Sequence, residues 1–237
     1  MNKEGNGYTL IYASVLVIVV AALLAFVATS LKPLQDRNEM VAKKIDILKS
    51  INIDSNADNA EEIYEKIIGD KSYIVNFKGE KVEGVAFNVS LADENRKPVE
   101  ERLLPVFEAK LEDGVVKYVI ELRGNGLWGP IWGYIAINDD GNTLYGATFS
   151  HKGETPGLGA EIAGDNFQNQ FPGKQIFENG KNRSIDVVKG GADPNNKHEV
   201  DGISGGTITS NGLANMLDEY FIGYESFLKN IERSSHE

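Results

Sequence analysis

The sequence predicts an α+β protein with a single N-terminal transmembrane helix followed by one soluble domain that has an antiparallel sheet and flanking helices. Three observations lead to this prediction. An uncharged, apolar run of 22 residues fills positions 10–31. Segments with strand character follow one another around short turns, without the alternating βαβ order of a parallel sheet. A long amphipathic helix closes the chain, with its apolar side chains at helical spacing from Leu213 to Ile231.

The apolar run is long enough to cross a bilayer, because about 20 helical residues span the hydrocarbon core. A cleaved signal peptide is the alternative, but its apolar core is shorter, about 7–15 residues, and a small-residue cleavage site follows it. The run Ala25-Phe26-Val27-Ala28 is a poor match to such a site. We therefore predict an uncleaved anchor. The distribution of Lys and Arg around the run would place the following domain on the cytoplasmic side. Large domains translocate largely regardless of charge, however, so the residues leave the orientation open.

These features divide the chain into four predicted regions: a short N-terminal tail (1–9), the transmembrane helix (10–31), a helical juxtamembrane segment (32–72) and the domain (73–237). In the juxtamembrane segment, the spacing of apolar residues predicts one helix over 34–48. A second helix is predicted from Asn59 to Ile68, with acidic residues in its first turn and Gly69 at its end.

Within the domain, alternation and turn signals predict several short strands. The predicted strands cover positions 73–89 with interruptions, 115–122, 131–137, 143–149 and 185–188. The third and fourth of these flank Asp139-Asp140-Gly141-Asn142 and should form a hairpin. The charged stretch 91–101 is predicted to be a loop, and 167–180 has mixed character.

Composition excludes several classes of function. A net charge of −11 offers nothing to neutralise a nucleic acid backbone, so we predict no nucleic acid partner. The absence of cysteine excludes disulfides and cysteine-ligated metal or haem sites in this chain. The three histidines stand alone without ligand spacing, so no metal site is predicted. Redox chemistry would therefore need a bound organic cofactor.

The run Ser204-Gly205-Gly206-Thr207-Ile208-Thr209-Ser210 leads directly into the terminal helix. A helix N-terminus presents unpaired backbone N–H groups and a partial positive charge, which suit a phosphate. The two glycines would let the backbone approach that phosphate closely. Asp201 precedes the run and, on its own, is typical of a turn residue.

Two other glycine-containing segments are candidates for a site. The run Gly124-Asn125-Gly126-Leu127-Trp128-Gly129 matches the spacing of a dinucleotide-binding loop, but Pro130 and a predicted strand follow where that loop needs a helix. It is therefore either a tight turn with Trp128 and Trp132 in the core or an apolar wall for a flat ring. The run His151-Lys152-Gly153-Glu154-Thr155-Pro156-Gly157-Leu158-Gly159, taken by composition alone, is an ordinary surface loop.

Taken together, these segments resemble a known family. Gly-Leu-Trp-Gly at 126–129, Glu-Thr-Pro-Gly-Leu-Gly at 154–159 and Ser-Gly-Gly-Thr at 204–207 resemble motifs of the covalent-FMN family, in which a threonine oxygen is esterified to the FMN phosphate. With the anchor and the juxtamembrane runs 30–38 and 47–49, nearly the whole chain resembles the C subunit of the sodium-translocating NADH:quinone reductase. The G subunit of the Rnf complex shares the flavin motifs and is the alternative. An anchored structural or sensory domain without a cofactor is a third possibility.

The resemblance implies covalent FMN, attached by a phosphoester to Thr207. It implies that the cofactor also contacts the surrounding turn and the two upstream segments, through Ser204, Gly205, Gly206, Ile208, Thr209, Leu127, Trp128, Glu154, Thr155, Gly157 and Leu158. Lys189 would pair with the phosphate or the ring carbonyls, or is simply solvated. The family usually has alanine where this chain has Gly206, and Thr209 is a rival acceptor.

The resemblance also implies a role and a location. The chain would be an electron-transfer subunit of a respiratory oxidoreductase, with NADH oxidised on another subunit because this chain has no NADH fingerprint. Its partners would be the other membrane subunits and a flavin transferase that attaches FMN. The domain would lie on the periplasmic side of the bacterial inner membrane.

Overall fold

The computed structural model describes residues 5–234, which fall into two compact units, one ending at Lys43 and one starting at Lys44. Residues 1–4 of the predicted N-terminal tail and residues 235–237 of the predicted domain lie outside the described part of the chain.

The first helix, α1 (Asn6–Ser50), is continuous over 45 residues and contains Pro33 in its interior. It includes both the predicted span and the helix predicted at 34–48. Large apolar side chains between positions 10 and 31 are exposed. By length and composition, this helix can cross a membrane.

The second unit contains the remaining elements. The helices are α2 (Ala60–Ile67), α3 (Leu91–Glu94), α4 (Asp165–Gln168) and α5 (Thr207–Ser234). The strands are β1 (Ser72–Val75), β2 (Lys81–Val82), β3 (Leu104–Lys110), β4 (Val116–Asn125), β5 (Pro130–Ile137), β6 (Leu144–His151), β7 (Phe177–Glu178), β8 (Lys181–Asn182), β9 (Asp186–Val188) and β10 (Glu199–Asp201). Short 3₁₀ turns occupy Ala86–Asn88, Val99–Glu101 and Gly159–Ala163.

Six strands form one antiparallel sheet in the order β2-β1-β3-β4-β5-β6, which confirms the predicted fold class. The predicted hairpin is β5–β6, in which Tyr134 lies opposite Thr148. The Gly124–Gly129 run forms the end of β4 and the turn into β5, so no helix follows it and it is not a dinucleotide-binding loop. Two strand pairs, β7–β8 and the parallel β9–β10, lie outside this sheet.

Two local predictions were wrong. The segment 85–89 forms a 3₁₀ turn where a strand was predicted, and 91–101 contains α3 and another 3₁₀ turn where a loop was predicted. Charged side chains of the segment 91–101 make hydrogen bonds to groups nearby in the chain. The Glu94 carboxylate accepts from the Lys97 ammonium at 2.8 Å and from the Leu103 backbone N–H at 2.9 Å. These contacts satisfy polar groups that would otherwise favour an open loop.

Helix α5 packs across β4 and covers one face of the sheet. Its predicted apolar stripe is buried, at Leu213, Met216, Leu217, Tyr220, Phe221, Tyr224, Phe227, Leu228 and Ile231. Two phenols orient the helix: the Tyr220 hydroxyl donates to Asn95 Oδ1 at 2.8 Å, and the Tyr224 hydroxyl donates to the Pro105 carbonyl at 2.7 Å. Burial raises the pKa of both phenols, so both stay protonated donors. Near its start, α5 lies against the end of β4, where a Cβ on Gly212 would lie 2.1 Å from the Asn125 carbonyl oxygen.

Candidate functional site

Three of the segments singled out in the sequence meet at one surface cavity of about 230 Å³. They are the β4–β5 turn, the loop that follows β6, and the turn that opens α5. The residues that line the cavity are Leu127, Glu154, Thr155, Leu158, Gly159, Gly205, Gly206, Thr207, Ile208 and Thr209.

The turn before α5 presents the start of this helix to the cavity. Thr207 is the first helical residue, and its side chain is exposed. Gly205 has a φ of +74°, and a Cβ at this position would lie 2.6 Å from Leu158 Cδ2, so a side chain there would be both strained and crowded. The Ser210 hydroxyl accepts the Ile203 N–H at 3.1 Å and closes the turn. The backbone N–H groups of the first helical turn, which have no intrahelical partners, therefore lie beside an accessible hydroxyl.

Glu154 joins the three segments. Its side chain is 5% exposed. One carboxylate oxygen accepts the Trp128 backbone N–H at 2.8 Å, and the other accepts the Thr209 hydroxyl at 2.6 Å. The Glu154 N–H in turn donates to His151 Nδ1 at 3.1 Å. The carboxylate therefore ties the β4–β5 turn and the start of α5 to its own loop.

The pair formed by Glu154 and Thr209 depends on a missing side chain at Gly159. A Cβ there would lie 2.4 Å from Glu154 Oε2 and 2.4 Å from Thr209 Oγ1. Glu154 was predicted as a cofactor contact, but its role between the loops was not predicted, and neither was the participation of Gly159 and His151. No local pattern could have revealed that role, because the partners of Glu154 lie 26 and 55 positions away.

The two threonines that compete as attachment points differ in access. Thr209 is 1% exposed, and its hydroxyl is donated to Glu154. Thr207 is exposed and lines the cavity. A group outside the fold can reach the Thr207 oxygen directly, whereas the Thr209 oxygen is covered and already hydrogen-bonded.

Large apolar side chains are exposed around the cavity. Leu127 is 49% exposed, Trp128 68%, Leu158 41% and Ile208 57%. Trp128 is therefore not a core residue, which removes the interpretation of its segment as a turn with both tryptophans in the core; Trp132 is half-buried. Apolar side chains grouped at the surface of a folded domain mark a place where another molecule binds.

Other candidate residues do not line the cavity. Ser204 is exposed in the same turn, and the Gly157 N–H donates to Glu161 Oε1 at 2.9 Å. Lys189 is exposed directly after β9, whose last carbonyl accepts the Gly202 N–H at 2.7 Å. Asp201 accepts the Ala192 N–H, so it braces the preceding loop as a turn residue does.

This combination of exposed apolar side chains and backbone N–H donors fits a flat heterocycle that carries a phosphate. The exposed apolar side chains offer a surface for the ring, and the helix start with its accessible hydroxyl suits the phosphate. Residues 126–221, which include all three segments, match the FMN-binding domain family. The fold and the site thus define a domain of the FMN-binding class.

Two relatives are similar to this chain along most of its length and identify its family within the FMN-binding class. The C subunit of the Na(+)-translocating NADH-quinone reductase from Haemophilus ducreyi is 33% identical over 243 residues, covering 95% of this chain and 93% of the relative. The subunit of the same name from Vibrio vulnificus strain YJ016 is 31% identical over 233 residues, covering 90% and 91%. The chain belongs to the family formed by the C subunits of the Na(+)-translocating NADH-quinone reductase.

Solved structures agree with this assignment. The structure of the C subunit from Parabacteroides distasonis ATCC 8503 superposes with a TM-score of 0.77 at 47% identity, covering 84% of this chain and 96% of the other. A Shewanella oneidensis structure named NqrC has the same fold, with a TM-score of 0.70 at 24% identity over 84% of this chain and 99% of the other.

Proposed function

We propose that this chain is the electron-transferring C subunit of a sodium-translocating NADH:quinone oxidoreductase and carries FMN as a phosphoester on Thr207. The observation that carries the proposal is the exposed Thr207 hydroxyl at the start of α5, beside a cavity surrounded by exposed apolar side chains. Membership of the family named above supports the same role. When bound, FMN would supply reversible electron uptake and release.

In this proposal each part of the site has a physical task. Leu127, Trp128, Leu158 and Ile208 would cover the faces of the ring and exclude water from it. Gly205 and Gly206, with Ser204, leave the phosphate close to the backbone N–H groups of the first turn. The loop at Thr155 and Gly157 would offer backbone partners to the polar edge of the ring, and Lys189 would act on the phosphate or that edge. The ester prevents FMN from dissociating and fixes its position for electron transfer.

The proposal requires partners. NADH oxidation belongs to another subunit, because the one glycine pattern that resembles a dinucleotide loop is the β4–β5 turn. A flavin transferase is needed to form the ester. The region at 32–72 would connect the anchor to the FMN-binding domain at 73–237.

Peptide mapping of the chain tests the attachment. The protein is expressed together with a flavin transferase, denatured, and separated on a gel. We expect in-gel flavin fluorescence, an intact mass increased by one FMN ester, and a single modified peptide that contains Thr207. An intact mass equal to the bare polypeptide in material from the native host would refute the proposed function.

We further propose that residues 10–31 anchor the chain in the inner membrane and that the domain lies on the periplasmic side. The exposed apolar surface of α1 over these residues supports the anchor. The chain has no cysteine, so a single cysteine at exposed Gly153 gives a clean label position. We expect a membrane-impermeant thiol reagent to label it in intact spheroplasts. Labelling that appears only after the cytoplasmic side is opened would contradict this orientation.

A further inference from the structure

We propose that the buried Glu154 carboxylate lowers the reduction potential of the flavin held in this cavity. The inference rests on the proposed function, because it requires a flavin attached at Thr207. It assigns to Glu154 an electrostatic task in addition to joining the loops.

Glu154 is buried at the wall of the cavity. Its side chain is 5% exposed, and it lines the same cavity as Thr207, Leu127 and Leu158. A flavin ring held in this cavity would therefore lie beside a carboxylate that is largely shielded from water. The effective dielectric constant inside a protein is far below that of water, so such a charge acts over several ångströms.

The Glu154 carboxylate accepts two hydrogen bonds. Both come from neutral donors, the Trp128 backbone N–H at 2.8 Å and the Thr209 hydroxyl at 2.6 Å. An ionised carboxylate is an acceptor only, and these two donors match that form. They disperse part of its negative charge but leave the net charge in place. A paired guanidinium or ammonium, in contrast, would cancel it.

The charge balance of reduction gives the sign of the effect. Two-electron reduction takes two electrons from a donor centre of the complex and one proton from water, so the ring gains one unit of negative charge. A neighbouring carboxylate repels that added charge, and charges close to the ring are among the means by which proteins tune a cofactor. Glu154 therefore favours the oxidised form and makes the reduced flavin a stronger electron donor.

Glu154→Gln tests the inference because it removes the charge with little change in shape. The Gln side-chain carbonyl accepts the Trp128 N–H, and its amide donates to the Thr209 oxygen, since a hydroxyl both donates and accepts. We expect the ratio of reduced to oxidised flavin at a fixed applied potential to rise about tenfold, which is about 30 mV for a two-electron couple. The measurement is a spectroelectrochemical titration of the flavin absorbance in the full chain.

Glu161→Gln is the matched control. Glu161 lies in the 3₁₀ turn that follows the Glu154 loop, and its carboxylate also accepts a backbone N–H, from Gly157 at 2.9 Å. It is exposed, so water screens its charge. We expect the potential of this variant to equal that of the unmodified chain. A shift as large as that of Glu154→Gln would show that loss of any nearby carboxylate suffices and would refute the inference.

Thr209→Val gives an independent test with the opposite sign. It keeps the charge of Glu154 but removes one of its two donors, so the charge is less dispersed and the potential should fall. A structural disturbance alone would not move the potentials of the two variants in opposite directions.

If Glu154→Gln fails to fold or to carry flavin, the potential of Thr209→Val alone tests the inference, and a potential that does not fall overturns it. An unchanged potential in a flavin-loaded Glu154→Gln chain also overturns it while leaving the proposed function intact, whereas absence of flavin from the unmodified chain refutes the proposed function itself.

Discussion

Thr207→Ala should fold like the unmodified chain and carry no covalent FMN. The Thr207 side chain is exposed at the first position of α5, so its hydroxyl can be removed without opening the core. Alanine also has the highest helix propensity, and the change should therefore leave the free energy of unfolding within about 0.5 kcal/mol of its original value. We expect complete loss of flavin fluorescence on a denaturing gel and of the added mass in the intact protein.

Thr207→Ser is the matched control, since it keeps a hydroxyl at the same place on the helix. Serine should restore covalent flavin, at a reduced yield if the extra methyl group of threonine orients the oxygen. Flavin fluorescence that survives denaturation in Thr207→Ala, mapped to a peptide with an intact Thr209, would move the ester to Thr209. That outcome would require the Glu154–Thr209 hydrogen bond to open, because Thr209 is 1% exposed and its hydroxyl is donated to Glu154.

Gly159→Ala should strongly destabilise the domain and empty the site. The new methyl group would lie 2.4 Å from both Glu154 Oε2 and Thr209 Oγ1, where no atom can be accommodated without separating them. Crowding in a packed interior together with a lost buried hydrogen bond should cost about 2–4 kcal/mol of the free energy of unfolding. Melting followed by circular dichroism should therefore show a midpoint lowered by about 5–12 °C.

Gly153→Ala is the control for this prediction. It lies on the same loop, and a Cβ there has no atom within 4 Å. We expect an unchanged melting temperature and normal flavin loading. If Gly159→Ala melts like Gly153→Ala and carries a full complement of flavin, then the contact between the loop and α5 does not determine the geometry of the site.

The parts of the fold that follow local rules were predictable from the sequence. The stripe from Leu213 to Ile231 has helical spacing over five turns, and the structure buries it as α5. The β5–β6 hairpin has alternating residues and a turn rich in Asp, Gly and Asn. In both elements, the same residues determine the local conformation and the buried face.

Other parts depend on contacts that no short window contains. Strand β3, Leu104–Lys110, was not predicted, because its first four residues are all buried and show no alternation. The parallel pair β9–β10 joins segments separated by the loop at 189–198. The motifs pointed to the candidate site, but the exposure of Trp128 and the central position of Glu154 follow only from how three distant segments pack.

The dependence of Glu154 on partners 26 and 55 positions away has a consequence for the order of maturation. An unfolded chain lacks the cavity, since the start of α5 is the last of the three segments along the chain and must pack against the other two before the Glu154 carboxylate can accept the Thr209 hydroxyl. If FMN is attached as proposed, its attachment should therefore follow folding of the domain, and a chain that carries the flavin would be one in which the three segments have already packed together.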